Sequence, residues 1–177
     1  MSITTLYHPT VLILDSDRKF LNRLAEKMDH RFSVVLKQNP IQAFEYLSQN
    51  KNKMHPYVSP KNLKKIVVTI IVKNLVEMDS LEFCRLAKEK FNLPTQFILL
   101  TDTNGLTEAI QAYNEGIIQA YVENEIRSDT VQQINQYLYT FWIGQLEKLN
   151  ASAENLTPTQ LNVKNSIQPC HSILGFR

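Results

Sequence analysis

The seven residues Ile66-Val67-Val68-Thr69-Ile70-Ile71-Val72 carry one hydroxyl and no charge. A run this short and this rich in β-branched residues reads as a strand, and because it has no polar face it must be covered on both sides. The interior of a parallel sheet, packed between two layers of helices, provides that environment.

The rest of the chain supplies partners for such a strand. Residues 11–14 form a short apolar run ending in Asp15-Ser16-Asp17, and Phe20, Leu21, Leu24, Ala25 and Met28 then recur at helical spacing to about Asp29. A second run at 32–36 precedes Pro40, which is suited to open a helix with Ala43, Phe44 and Leu47 on its inner side. Residues 50–65 are rich in Asn, Lys, Pro and Ser and predict a long surface loop. Asp79 or Ser80 caps a third helix with Leu81, Cys84, Leu86 or Ala87, and Phe91 inward. Strand 96–100, helix 106–113 and strand 117–122 follow, and a last helix begins near Ser128. Its apolar residues Val131, Ile134, Leu138, Phe141, Trp142, Leu146 and Leu149 run past the length needed to cover one sheet. Strict β/α alternation predicts the α/β class, with an open five-stranded parallel sheet, right-handed crossovers and an extended C-terminal helix. In such sheets function collects at the carboxyl ends of the strands, here Asp15, Val72, Thr101 and Glu123.

With 177 residues, 44% of them hydrophobic, the chain suffices for one core and a tail: a domain over 9–149 and a polar tail over 150–177. Nineteen basic and seventeen acidic residues are scattered, and no basic stripe or recognition helix stands out, so neither nucleic acid nor a membrane surface is the expected partner. Cys84 and Cys170 form no CxxC, and the four histidines lack metal spacing, so no metal site is expected. Without a secretory pattern or a membrane-length apolar run, a reducing cytoplasm is the expected location. No GxSxG nucleophile context and no Gly-rich phosphate loop occurs, which argues against a hydrolase or a flavodoxin-like nucleotide binder, and no catalytic residue is assigned.

Several strings, in order and well spaced, resemble the receiver domain of two-component response regulators. They are Val-Leu-Ile-Leu-Asp-Ser-Asp at 11–17, Met-Asp-Ser-Leu-Glu-Phe-Cys at 78–84, Ile-Leu-Leu-Thr at 98–101 and Ala-Tyr-Asn-Glu-Gly at 112–116. The resemblance covers roughly residues 10–149. It implies a (βα)5 flavodoxin-like receiver fold and a pocket that accepts a phosphoryl group from a histidine kinase.

Carried over residue by residue, however, that pocket departs from the family. The phosphoacceptor aspartate falls on Val72, and the carboxylate pair after the first strand falls on Asp15-Ser16. Asp17 is better suited to open the first helix, and Asn74 offers at most a backbone carbonyl. The lysine ending the fifth strand falls on Glu123, the aromatic switch residue falls on Ala120 with Tyr121 beside it, and Thr101 alone is retained. Loss of carboxylates at 16 and 72 removes the need for a cation at 123, and magnesium binding is expected to be weak or absent. The resemblance therefore implies a pseudo-receiver, a phosphorylation-independent protein-interaction module in signal transduction. Its partner would be a signalling protein, a histidine kinase or an output protein, met through Glu108, Gln111, Tyr113, Ala120 and Tyr121. A homodimer through Leu138, Phe141, Trp142 and Leu146 is a further expectation. The alternative is a response regulator still phosphorylated by a histidine kinase through a non-standard acceptor.

Overall fold

The computed structural model describes residues 9–50, 67–73, 75–91, 95–123 and 125–154. The strands are β1 (Thr10–Leu14), β2 (Ser33–Lys37), β3 (Val67–Val72), β4 (Gln96–Thr101) and β5 (Ala120–Glu123). The helices are α1 (Arg18–Lys27), α2 (Pro40–Asn50), α3 (Ser80–Phe91), α4 (Leu106–Asn114) and α5 (Ser128–Glu154). All strand pairs are parallel, in the order β2-β1-β3-β4-β5. The predicted loop 50–65 lies outside the described residues, apart from Asn50, which ends α2.

Period-two alternation along the buried strands sorts their side chains into two cores. Val11, Ile13, Ile71, Ile98, Leu100, Ala120 and Val122 pack with Phe20, Leu21 and Leu24 of α1 and with Val131, Ile134 and Leu138 of α5. Leu12, Leu14, Ile70, Val72, Phe97 and Leu99 pack on the other face with α2, α3 and α4. Phe83 of α3 is fully buried there, its ring 4.9 Å from that of Phe44.

The helix starts follow from short polar side chains that satisfy free amides. Asp17 Oδ1 accepts from the amides of Lys19 (2.8 Å) and Phe20 (3.2 Å). Asp79 Oδ1 accepts from Leu81 (2.9 Å) and Glu82 (3.0 Å), and Asn39 Oδ1 accepts from Gln42 (2.9 Å). At the far end of α1, the Tyr139 hydroxyl donates to Asp29 (3.0 Å), the Asp29 amide donates to Asn135 (3.2 Å), and Arg31 lies over the Tyr139 ring (4.2 Å). These contacts clasp the turn between α1 and β2 to α5.

Two boundaries differ from expectation by three residues or more. β5 starts at Ala120 rather than 117, because the preceding residues finish α4: the amides of Ile117 (2.9 Å) and Ile118 (3.4 Å) both donate to the Ala112 carbonyl, beyond Gly116 at φ 71°. Gln119 then docks on β4, donating its amide to Phe97 O (2.9 Å) and accepting from Phe97 N at its side-chain oxygen (2.8 Å). Helix α5 continues to Glu154, across the expected boundary at 149; residues 155–177 lie outside the described residues. Among the described residues no helix is long and apolar enough to cross a membrane.

Candidate functional site

The strand order reverses between β1 and β3, so the carboxyl ends of these two strands form the switch point at which ligands settle in open α/β sheets. Leu14 pairs with Val72 at the last rung, and the Lys73 amide donates to Leu14 O (3.1 Å), carrying the ladder one step further. Asp15 and Lys73 are the next residues on their strands. By alternation both fall on the face of Ile13 and Ile71, beneath α1 and α5.

There they meet. Lys73 Nζ stands 3.3 Å from Asp15 Oδ2; the Asp15 side chain is fully buried and that of Lys73 is 12% exposed. The other carboxylate oxygen accepts from the Asp17 amide (2.6 Å). Oδ2 has no hydrogen-bonded partner of good geometry among the described residues, so the ammonium is its electrostatic compensation. The Phe20 ring lies beneath that ammonium, 3.5 Å from its centroid to Nζ. Burial pushes the Asp15 carboxyl above its ordinary value of 3.8, while the Asp17 amide and the Lys73 charge pull against it.

The remaining pocket candidates do not converge on Asp15. Val72 faces the opposite core and is fully buried among Leu12, Leu14 and Leu99. Ser16 is half-buried, and Asp17 is spent as the α1 cap, its carboxyl held below the ordinary range by the Phe20 and Lys19 amides. The Thr101 hydroxyl donates to the Asp102 carbonyl (3.2 Å) and abuts Gly105, where a Cβ would collide with it. Glu123 points into an exposed cluster, bonded to Arg127, which also reaches Glu125 at 3.2 Å. Asn74 lies outside the described residues.

On the α4 and β5 side, Glu108, Gln111 and Tyr113 are exposed, Tyr121 is half-buried, and Ala120 is buried, which removes it from any contact surface. Leu138, expected on a partner-facing helix surface, is buried in the domain's own core because α5 lays it against the sheet. Phe141 and Trp142 are half-buried against the same core, and the Leu146 side chain lies outside the described residues.

The residue that sequence reasoning missed is Lys73. Scanning the third strand for a nucleophile passes over it as a residue without a carboxylate. The available signal was a cation directly after the most apolar strand of the chain, in a fold whose neighbouring strand ends in an acid.

The receiver resemblance would bring a magnesium ion to this switch point, and the residues present do not fit one. Magnesium calls for an octahedral oxygen shell; here one buried carboxylate faces an ammonium. The Lys73 carbonyl accepts from the Ser80 hydroxyl, and no group of three acidic, His or Cys ligands occurs among the described residues.

Neither a protein-family model nor a curated protein sequence matches the chain. Among solved structures it is similar to the response regulator LqsR of Legionella pneumophila, with 23% identity and a TM-score of 0.66, over 92% of this chain and 50% of that one. It thus spans about half of LqsR. It is also similar to adenylate cyclase from Rhodopirellula baltica, at 19% identity and TM-score 0.62, over 80% of this chain and 96% of that one. A response regulator receiver domain protein from Clostridium thermocellum matches at 16% identity and TM-score 0.58, over 75% and 93% of the two chains. Five parallel strands in this order, alternating with five helices and superposing on these structures, give the chain the fold of response-regulator receiver domains.

Proposed function

We propose that the chain is a phosphorylation-independent module of two-component-type signal transduction, one that works by binding a protein partner rather than by catalysis. The observation that carries this reading is that Val72, which the receiver resemblance aligns with the phosphoacceptor, ends β3 fully buried. Valine has no nucleophile. Asp15, the one fully buried carboxylate among the described residues, is already engaged by an ammonium and by a backbone amide. To serve as a non-standard acceptor, Asp15 would have to leave both partners and reach solvent.

The surface of α4 supports partner binding. Leu106, Ile110 and Tyr113, at spacings of four and three, are 40%, 41% and 51% exposed, and Tyr113 meets Tyr121 of β5 edge to face at 6.1 Å. Glu108 and Gln111 are exposed on the same helix. Homodimerisation through the far part of α5 belongs to the same reading, with Ile143, 52% exposed, as the described apolar residue open to a second copy. A signalling protein in the cytoplasm is the expected partner.

The test is intact mass after incubation with acetyl phosphate and magnesium. No adduct is expected on the native chain. A stoichiometric, hydroxylamine-labile gain of one phosphoryl group would refute the reading. For the dimer, Ile143→Glu is expected to halve the solution mass; a native chain already monomeric at high concentration would dismiss that part.

A further inference from the structure

We infer that the switch-point site is a cation site filled from within: the Lys73 ammonium is a tethered cation held where this fold would otherwise hold a divalent ion, and it excludes one. The inference rests on the site read above as unable to take a phosphoryl group, and it goes on to say what occupies it.

Three observations bear on it. The first is that the strand ladder fixes the backbone from which the ammonium is presented to Asp15. The Lys73 amide is bonded to Leu14 O, its carbonyl accepts from Ser80, and Asp15 is fixed one step along the neighbouring strand with its own amide on Lys37 O (3.2 Å). The second is that the surroundings select for positive charge on two sides. Asp15 Oδ2 lies 3.3 Å from Nζ, and the electron-rich face of Phe20 lies 3.5 Å from it. An anion would meet the carboxylate and the ring face together. The third is that Asp15 Oδ2 is buried with no hydrogen-bond donor of good geometry among the described residues, so the ionised carboxylate relies on a nearby cation. With an ammonium already 3.3 Å from it, a divalent ion brought to the same oxygen would be repelled and would find its first ligand taken. The charge of the pocket is therefore set by the chain itself and does not follow the magnesium concentration.

The experiment titrates MgCl2 and MnCl2, separately, into the native chain, into Lys73→Met and into Lys73→Met/Asp15→Asn, read by calorimetry and by the thermal midpoint. The native chain is expected to show no saturable binding and no shift in midpoint. With a single carboxylate at the site, Lys73→Met is expected to bind weakly but saturably, at least about tenfold tighter than the upper limit the titration sets on the native chain, about 1.4 kcal/mol, and to lose that binding in the double variant. A Lys73→Met chain that folds only with the metal present supports the inference equally. Saturable, Asp15-dependent binding by the native chain overturns it, and so does a Lys73→Met chain that gains nothing from either ion. The acetyl phosphate measurement is separate: an adduct would remove the functional reading without touching the metal result, and native metal binding without an adduct would do the reverse.

Discussion

Replacing Lys73 by methionine removes the ammonium and leaves an unbranched stem to rest on Phe20. At 3.3 Å and an effective dielectric of about 20, the lost Coulomb attraction is about 5 kcal/mol before any relaxation. Asp15 can escape part of this by taking up a proton. Starting from the ordinary value of 3.8, protonation at pH 7 costs about 4 kcal/mol, which caps the loss. Measured costs of breaking buried pairs run at about 3 to 5 kcal/mol, so a destabilisation of about 3 to 4 kcal/mol at pH 7 is expected. The cap falls with pH, to about 2 kcal/mol at pH 5. The sign follows from linkage: without its cation, Asp15 has a folded-state pKa raised further above the unfolded one. Its contribution is then fully present below the unfolded value and is lost as pH rises through the folded value. Urea unfolding of native, Lys73→Met and Lys73→Met/Asp15→Asn chains at pH 5 and 7 measures this. The double variant should recover most of the loss and show little dependence on pH over this window relative to the native chain. A single variant within about 1 kcal/mol of native at pH 7, or an equal loss at both pH values, would refute the idea that a buried ion pair sits at the switch point.

Asp17→Ala removes the cap of α1 and should cost about 1 kcal/mol in urea unfolding; no measurable change would mean that the amides of Lys19 and Phe20 do not depend on it. The Arg31 side chain and amide hold the Asp29 carboxyl below its ordinary value, so Asp29 stabilises the fold above about 3.8 and the contribution fades as pH falls through its folded-state pKa. Asp29→Asn should therefore flatten the acid limb of the stability profile, and an unchanged limb would count against the hold of Arg31 on Asp29. Gly116→Ala should cost about 1 kcal/mol through backbone conformation alone, since φ is 71° and nothing lies within 4 Å of the added Cβ; a neutral substitution in thermal unfolding would show that the turn rearranges freely.

Apolar runs of strand length alternating with helical periods sufficed for the α/β class, the five βα units and the caps at Asp17 and Asp79, because these depend on local spacing and on the need to cover apolar strands on both faces. That β3 ends on Val72, a residue without a carboxylate, was legible by counting back from Met78-Asp79 along the receiver resemblance. The start of β5 was not legible, since Ile117 and Ile118 are as apolar as strand residues and only the bonds of their amides to Ala112 show them ending a helix. Nor could period alone say that Leu138 is used up inside the domain, because an apolar helix position looks the same whether a sheet or a second copy covers it. The pairing of Asp15 with Lys73 was the least accessible. These residues are 58 positions apart in the sequence, and they meet because β1 and β3 are neighbours in a register that sets Leu14 against Val72. Sequence determined which side chains were available at the strand ends; the order and register of the strands, which arise from packing the whole sheet, decided that a lysine faces the buried carboxylate.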